Sequence, residues 1–142
     1  MKYTALFAFI FSLILGLVCP ASIHAQNTSA GTALGFPIAD KNAKDGNIIV
    51  STPKGFALSD IPYDTNIYGV LTEAPSLYLE NTAEPDLKPV ITSSKVLVLV
   101  SSINGGIKKN DFITTSTIAG VGQKATRNGM VLGTALEDYS NS

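Results

Sequence analysis

The chain has 142 residues, 45% hydrophobic and 15% charged, with 10 Lys and Arg against 11 Asp and Glu. That length predicts one domain, and a charge fraction well under the roughly 25% of an average globular chain argues against a disordered acidic or basic segment. A formal net charge of −1 excludes the basic face that nucleic-acid binding needs, and one His, one Cys and no Trp leave almost nothing from which to build a metal site or a His-dependent triad.

The N-terminus reads as an export signal. Met1 and Lys2 form a short positive region, and Ala5 to Val18 is an uncharged run of 14 residues, short of the ~20 that span a bilayer. Pro20 breaks the run, and Ile23-His24-Ala25 places small or moderate side chains before Gln26. We place cleavage after Ala25, with export to the periplasm, the cell surface or the medium. An uncleaved anchor is the alternative, and Val18 and Pro20 around Cys19 fit a lipid-modification box poorly. Cleavage removes Cys19 and His24 and leaves 117 residues without a disulfide framework, so the core must hold the domain together. No second apolar run is long enough for a membrane span, and the mature chain is predicted to be soluble.

Residues 26–45 are rich in Ser, Thr, Asn, Ala and Gly and read as a flexible lead. Asn27-Thr28-Ser29 matches a glycosylation sequon. A β domain is predicted over 46–139, with a polar tail at 140–142. Its strands are expected at Asn47–Ser51, Gly55–Leu58, Asn66–Thr72, Ser76–Glu80, Lys95–Ile103, Asp111–Thr115, Gln123–Thr126 and Met130–Leu136. Pro53, Pro62, Pro75, Pro85 and Pro89 fall between those runs. Val96–Val100 (VLVLV) is apolar on both alternation faces and predicts a central strand buried on both sides. Asn128-Gly129 predicts a type I′ hairpin, and Asn104-Gly105-Gly106 a turn after the central strand. The fold class is all-β, a small barrel or sandwich of about eight short strands.

An internal echo is visible. Asp45-Gly46-Asn47-Ile48-Ile49-Val50-Ser51 resembles Lys109-Asn110-Asp111-Phe112-Ile113-Thr114-Thr115, and each is followed by a Gly-containing strand and then by Tyr68-Gly69-Val70-Leu71 or Leu132-Gly133-Thr134-Ala135-Leu136. Two similar β units covering each other's apolar faces is one expectation; echoes common to any small β protein are the other.

The stretch Gly105-Gly106-Ile107-Lys108-Lys109-Asn110-Asp111-Phe112-Ile113-Thr114-Thr115-Ser116, then Ala119-Gly120-Val121-Gly122-Gln123-Lys124-Ala125 and Val131-Leu132-Gly133-Thr134-Ala135-Leu136-Glu137, resembles a recurring pattern. It is similar to β-rich modules near the C-termini of phage tail or neck appendages, including self-cleaving chaperone domains of the G2-peptidase type, and to exported bacterial envelope domains. The resemblance covers Val96 to Asp138. Asn110 stands where the pattern usually has Gly, and Ala119 where it often has Pro. In the residues themselves, Asp111 can cap its turn through the carboxylate. Gly120 and Gly122 allow a reversal at positive φ. Gly133 suggests a bulge or a close backbone approach.

Candidate chemistry is sparse. Nucleophiles could be drawn from Ser51, Ser93, Ser94, Ser101, Ser102 or Thr114 to Thr117, with Lys95 beside Ser94 as base. Glu137-Asp138 and Glu84/Asp86 are the carboxylate pairs; neighbours on a strand point to opposite faces, so Glu137 and Asp138 are not expected to share a site. Asp60 and Asp64 around Pro62-Tyr63 read as a turn, since calcium needs six or more oxygens. Lys108-Lys109 is a hairpin-tip pair, and Gly105-Gly106 lacks the context of a phosphate loop. Phe56, Tyr63, Tyr68, Tyr78 and Phe112 could line a carbohydrate or peptide groove, but most are expected in the core or half-buried in the sheet, with Tyr139 exposed. We therefore assign no catalytic, cofactor or metal residue. The expected function is a non-enzymatic structural or interaction module, with protein partners or self-association through open strand edges. The alternatives are an intramolecular self-cleaving domain, as the resemblance implies, and a small-ligand or glycan-binding domain.

Overall fold

The computed structural model describes residues 29–80 and 83–140. The signal segment, its cleavage site, and Asn27 and Thr28 of the sequon lie outside them. The described residues hold no helix and ten strands: β1 (Ser29–Phe36), β2 (Ile48–Thr52), β3 (Gly55–Leu58), β4 (Ile67–Leu71), β5 (Pro75–Leu79), β6 (Lys88–Ile91), β7 (Val100–Ser101), β8 (Phe112–Thr115), β9 (Gly122–Lys124) and β10 (Gly133–Thr134). The all-β expectation holds. The strands form a six-stranded sheet in the order β3-β2-β4-β6-β1-β5 and a four-stranded sheet in the order β10-β8-β9-β7.

The larger sheet curls into a half-barrel. Ile38, just past β1, bridges to Phe56 on the far edge strand β3, and the Ala39 N–H donates to the Phe56 carbonyl at 2.9 Å. Inside the curl, Phe36, Phe56 and Tyr68 pack with ring centroids 4.6–5.0 Å apart over buried Ala43, Ile49, Leu71 and Val90. Such tilted and edge-on rings add to the burial of their own area.

Four expectations are corrected here. First, residues 29–36 are no flexible lead: β1 lies inside the sheet, antiparallel to β6 and parallel to β5. Its small residues are what close packing demands there, since Ala33 is fully buried and a Cβ on Gly35 would stand 3.0 Å from the Tyr78 hydroxyl. Second, two prolines expected between strands lie inside them: Pro75 is the first residue of β5, and Pro89 lies within strand β6, opposite Gly35. It sits one residue from the strand's start, and its carbonyl still accepts the Thr72 N–H at 3.0 Å. Third, of the expected central strand Lys95–Ile103, only Val100–Ser101 joins a ladder, and that at a sheet edge. Fourth, Asn128 and Gly129 are not at positive φ, and the strands they would join lie on opposite sides of β8. Gly129 serves instead to let the backbone meet the Tyr63 ring, where a Cβ would stand 2.5 Å from Cδ1.

The echo is structural. At one constant spacing of 64 residues, Ile49 pairs with Gly69 as Ile113 pairs with Gly133, and Ile48 with Val70 as Phe112 with Thr134. The Lys44 N–H donates to Asn47 Oδ1 at 2.8 Å, and the Lys108 N–H to Asp111 Oδ2 at 2.7 Å. Gly46 and Asn110, the two left-handed residues (φ 81° and 73°), donate their N–H groups to Leu71 and Ala135. Asn is the residue other than Gly that tolerates this conformation best, which accounts for Asn110 in place of Gly. The unit β3-β2-β4 thus recurs as β9-β8-β10. The two units meet at a buried seam where the Ile48 N–H and Asn47 Nδ2 both donate to the Gly120 carbonyl, at 2.8 and 3.2 Å.

Beside that seam, Ser59 is fully buried and its hydroxyl has no hydrogen-bond partner among the described residues. A buried hydroxyl without a partner keeps its desolvation cost, so Ser59→Ala is expected to leave stability unchanged or raise it by about 1 kcal/mol. Urea denaturation measures this; a loss above that size would show that the hydroxyl has a partner in solution.

Candidate functional site

A cleft of about 710 Å³ opens between the two sheets. One wall is β4 with Ile67 and Tyr68, the opposite wall is Met130 to Glu137 around β10, and the third side is Ile91 to Val98. Buried Ile107 and Ile113 lie at its floor. The walls are mostly aliphatic, with Thr92, Ser93, Ser94, Lys95, Thr134 and Glu137 as polar lining beside Tyr68 and Tyr139. Because β4 and β10 are equivalent strands of the two units, the cleft is faced on both sides by the same piece of the repeat.

The third side is the VLVLV segment. The Lys95 carbonyl accepts the Ala30 N–H at 2.8 Å, the Leu97 N–H donates to Ser29 Oγ at 3.5 Å, and the Leu99 N–H donates to the Gly46 carbonyl at 2.9 Å. Successive residues of an extended backbone turn their polar groups to opposite sides. The groups of Val96 and Val98 therefore face away from these partners, and no described residue bonds to them. The segment keeps the strand propensity that its sequence announces, but one of its two edges is open.

The candidate nucleophiles do not converge. Thr114 Oγ1 donates to the Met130 carbonyl, Thr115 Oγ1 to that of Ile61 and Ser116 Oγ to that of Val121, at 2.6–2.7 Å. All three side chains are fully buried, so their hydroxyl protons tie loops to β8 rather than await a base. Thr117 is exposed beside them, Ser51 is exposed on β2, and Ser101 Oγ accepts the Ile103 N–H at 3.2 Å; Ser102 is half-buried. Ser93 and Ser94 stand on the cleft rim beside exposed Lys95, and no hydrogen bond joins Ser94 to Lys95.

The carboxylates hold turns. Asp64 Oδ1 accepts the Asn66 N–H at 2.8 Å, while Asp60 is exposed. Glu84 and Asp86 are exposed in the loop before β6. Glu137 lines the cleft, whereas Asp138 turns to the Lys108-Lys109 turn, accepting the Lys109 N–H at 2.8 Å and pairing with Lys108 Nζ at 3.2 Å. Asp111 caps its own turn and receives Lys124 Nζ at 2.7 Å. The Lys124 hydrogen bond, then the Lys108 N–H, hold the Asp111 carboxyl below the usual carboxylate range; the Lys109 N–H, then Lys108, do the same for Asp138. A carboxylate whose pKa is lowered by folding stabilises the fold above its unfolded value, and that contribution is lost as pH falls through the folded one. Asp111→Asn is accordingly expected to be less stable than the native chain at neutral pH, with the gap closing below about pH 4. Urea midpoints at successive pH values measure it, and a gap independent of pH would contradict the capping role.

Of the aromatics, Phe56 and Tyr68 are core residues as expected. The Tyr78 hydroxyl donates to the Leu87 carbonyl at 3.4 Å, and burial, then the nearby Glu80, raise its pKa. The Tyr63 hydroxyl accepts the N–H groups of Thr126 and Arg127 at 2.8 and 3.2 Å, with the Arg127 guanidinium 4.6 Å from its ring centre. Tyr139 is half-buried and bridges to Ile107 rather than standing exposed. Phe112 is a correction: it is 57% exposed, whereas its counterpart Ile48 is fully buried. Gly133 is another, since a Cβ there would meet nothing within 4 Å. Gly105 (φ 92°) makes its expected turn, donating its N–H to the Ser102 carbonyl, and Gly120 (φ 69°) makes the expected reversal, whereas Gly122 does not: it opens strand β9 at ordinary φ, paired with Thr115 and Val100.

The open cleft itself was missed from sequence. The signal for it was the uninterrupted VLVLV run, which marks a strand but does not say which of its edges is covered. No family model, no curated protein and no solved structure matches this chain.

Proposed function

We propose that this chain is a non-catalytic exported module that does structural or interaction work at the bacterial cell envelope or in a phage-like appendage. The observation that carries the reading is the cleft, whose walls are mostly aliphatic, whose rim offers open strand edges, and where no hydrogen bond joins Ser94 to Lys95. Open edges with apolar surroundings take extended segments by β-augmentation, in which main-chain hydrogen bonds give affinity. Two sequence features support the rest: the signal-like segment Met1 to Ala25, and the resemblance of Val96 to Asp138 to appendage and envelope modules.

The test is the intact mass of the chain from Gln26, which holds every described residue, after long incubation without added protease. A single unclipped mass is expected. A specific clip that persists at high dilution and resists protease inhibitors would overturn the reading in favour of a self-cleaving domain.

A further inference from the structure

Within the repeat, the outer edge of β4 is covered, and no described residue pairs along that of β10. Val70 and Leu71 of β4 pair with Ile91 and Val90 of β6, antiparallel. The backbones approach so closely that a Cβ on Gly69 would stand 2.5 Å from the Ile91 carbonyl oxygen. Thr134 and Gly133 occupy the places of Val70 and Gly69, but β10 is the last strand of its sheet and the notch at Gly133 is empty. At the other end of that sheet, Val100 of β7 and residues 96–98 leading into it line the same cleft. The strand pairings make β10 and β7 run in the same direction, so one inserted strand would be antiparallel to both.

We propose that this gap is an acceptor for a strand, and that its occupant is β5 of a second copy of this chain. The inference rests on the proposed function and names its partner. Strand β5 ends the six-stranded sheet, so it has an outer edge without a neighbouring strand among the described residues. It presents Leu77 and Leu79, 53% and 52% exposed, at alternate positions and therefore on one face. Those are the side chains that an aliphatic floor of Ile107 and Ile113 would take up. Antiparallel insertion, as β6 lies on β4, brings the C-terminal end of β5 to the start of the Val96–Val100 edge. There the exposed Glu80 carboxylate that follows β5 meets the exposed Lys95. Donor and acceptor are different surfaces of one molecule, so the contact is head-to-tail and propagates as an open chain or closes as a ring.

The chain from Gln26 is expected to associate progressively between about 1 μM and 1 mM in sedimentation experiments. Gly133→Val fills the acceptor notch, where an added Cβ meets no atom within 4 Å, and a Leu77→Lys, Leu79→Lys double variant spoils the donor. Each is expected to keep the native circular dichroism and to sediment as a monomer. Mixed in equal amounts, they are expected to form a 1:1 dimer and nothing larger, because one intact donor and one intact acceptor remain. If Gly133→Val fails to fold, Thr134→Pro tests the same edge by removing an outward N–H. A native chain that stays monomeric over the whole range, association that survives in either variant, or a mixture that forms no dimer would each overturn the proposal. A monomer of single intact mass defeats this inference alone, whereas a specific clip defeats the proposed function.

Discussion

Replacing Gly69 with alanine is expected to cost about 3 kcal/mol, and the same replacement at Gly133 almost nothing. The two glycines are equivalent residues of the repeat, each opposite an isoleucine, Ile49 or Ile113. At Gly69 the new methyl would stand 2.5 Å from the Ile91 carbonyl oxygen and 2.8 Å from Val90 Cγ1. The first of these is backbone, which cannot swing aside like the end of a side chain, so β4 and β6 would have to separate and weaken a pairing at the centre of the half-barrel. At Gly133 no atom lies within 4 Å. Urea denaturation of the two variants measures the difference. Equal losses would show that β10 is already covered in solution as β4 is.

A second matched pair separates the units by burial. Ile48→Ala is expected to lose about 2–5 kcal/mol, the range for truncating a fully buried aliphatic side chain. Ile48 is fully buried, at the seam where its N–H meets the Gly120 carbonyl and its Cδ1 lies near Gly122. Phe112 holds the corresponding place in the second unit and is 57% exposed, so Phe112→Ala is expected to stay within about 0.5 kcal/mol. Truncating a phenylalanine normally costs more than truncating an isoleucine, so the reversed order is diagnostic. A large loss at Phe112 in the dilute chain would mean that this face is buried after all.

The sequence carried the fold class, most strand positions and the repeat, because short β-branched runs between Gly, Pro and Asn state their period directly. Gly55–Leu58 coincides with β3, and Asp111 caps its turn as its spacing implied. The errors have one physical source: pairing is a tertiary property. Ser29–Phe36 looked too small and polar to be a strand, yet small residues are what β1 needs between two close neighbours. The VLVLV run looked central because both of its faces are apolar, yet burial of a strand depends on what lies along its edges, and that is not written in its own residues. Asn128-Gly129 looked like a hairpin because the dipeptide permits one; Gly129 is placed by the Tyr63 ring, 66 positions earlier in the chain. Gly133 was read as a close backbone approach, which is what its counterpart Gly69 makes. The cleft was illegible for the same reason, since it is formed by the edges that no described strand covers.

The central claim is that this module works through open strand edges at the cleft, and amide hydrogen exchange of the chain from Gln26, dilute and concentrated, tests it most directly. At about 5 μM the amides of Val96, Val98 and Thr134 are expected to exchange as fast as unprotected backbone, and at about 500 μM to slow together with those along β5, the rest of the chain being unchanged. Slow exchange at those three amides already in the dilute protein would contradict it, whereas no change on concentration would contradict the self-association alone.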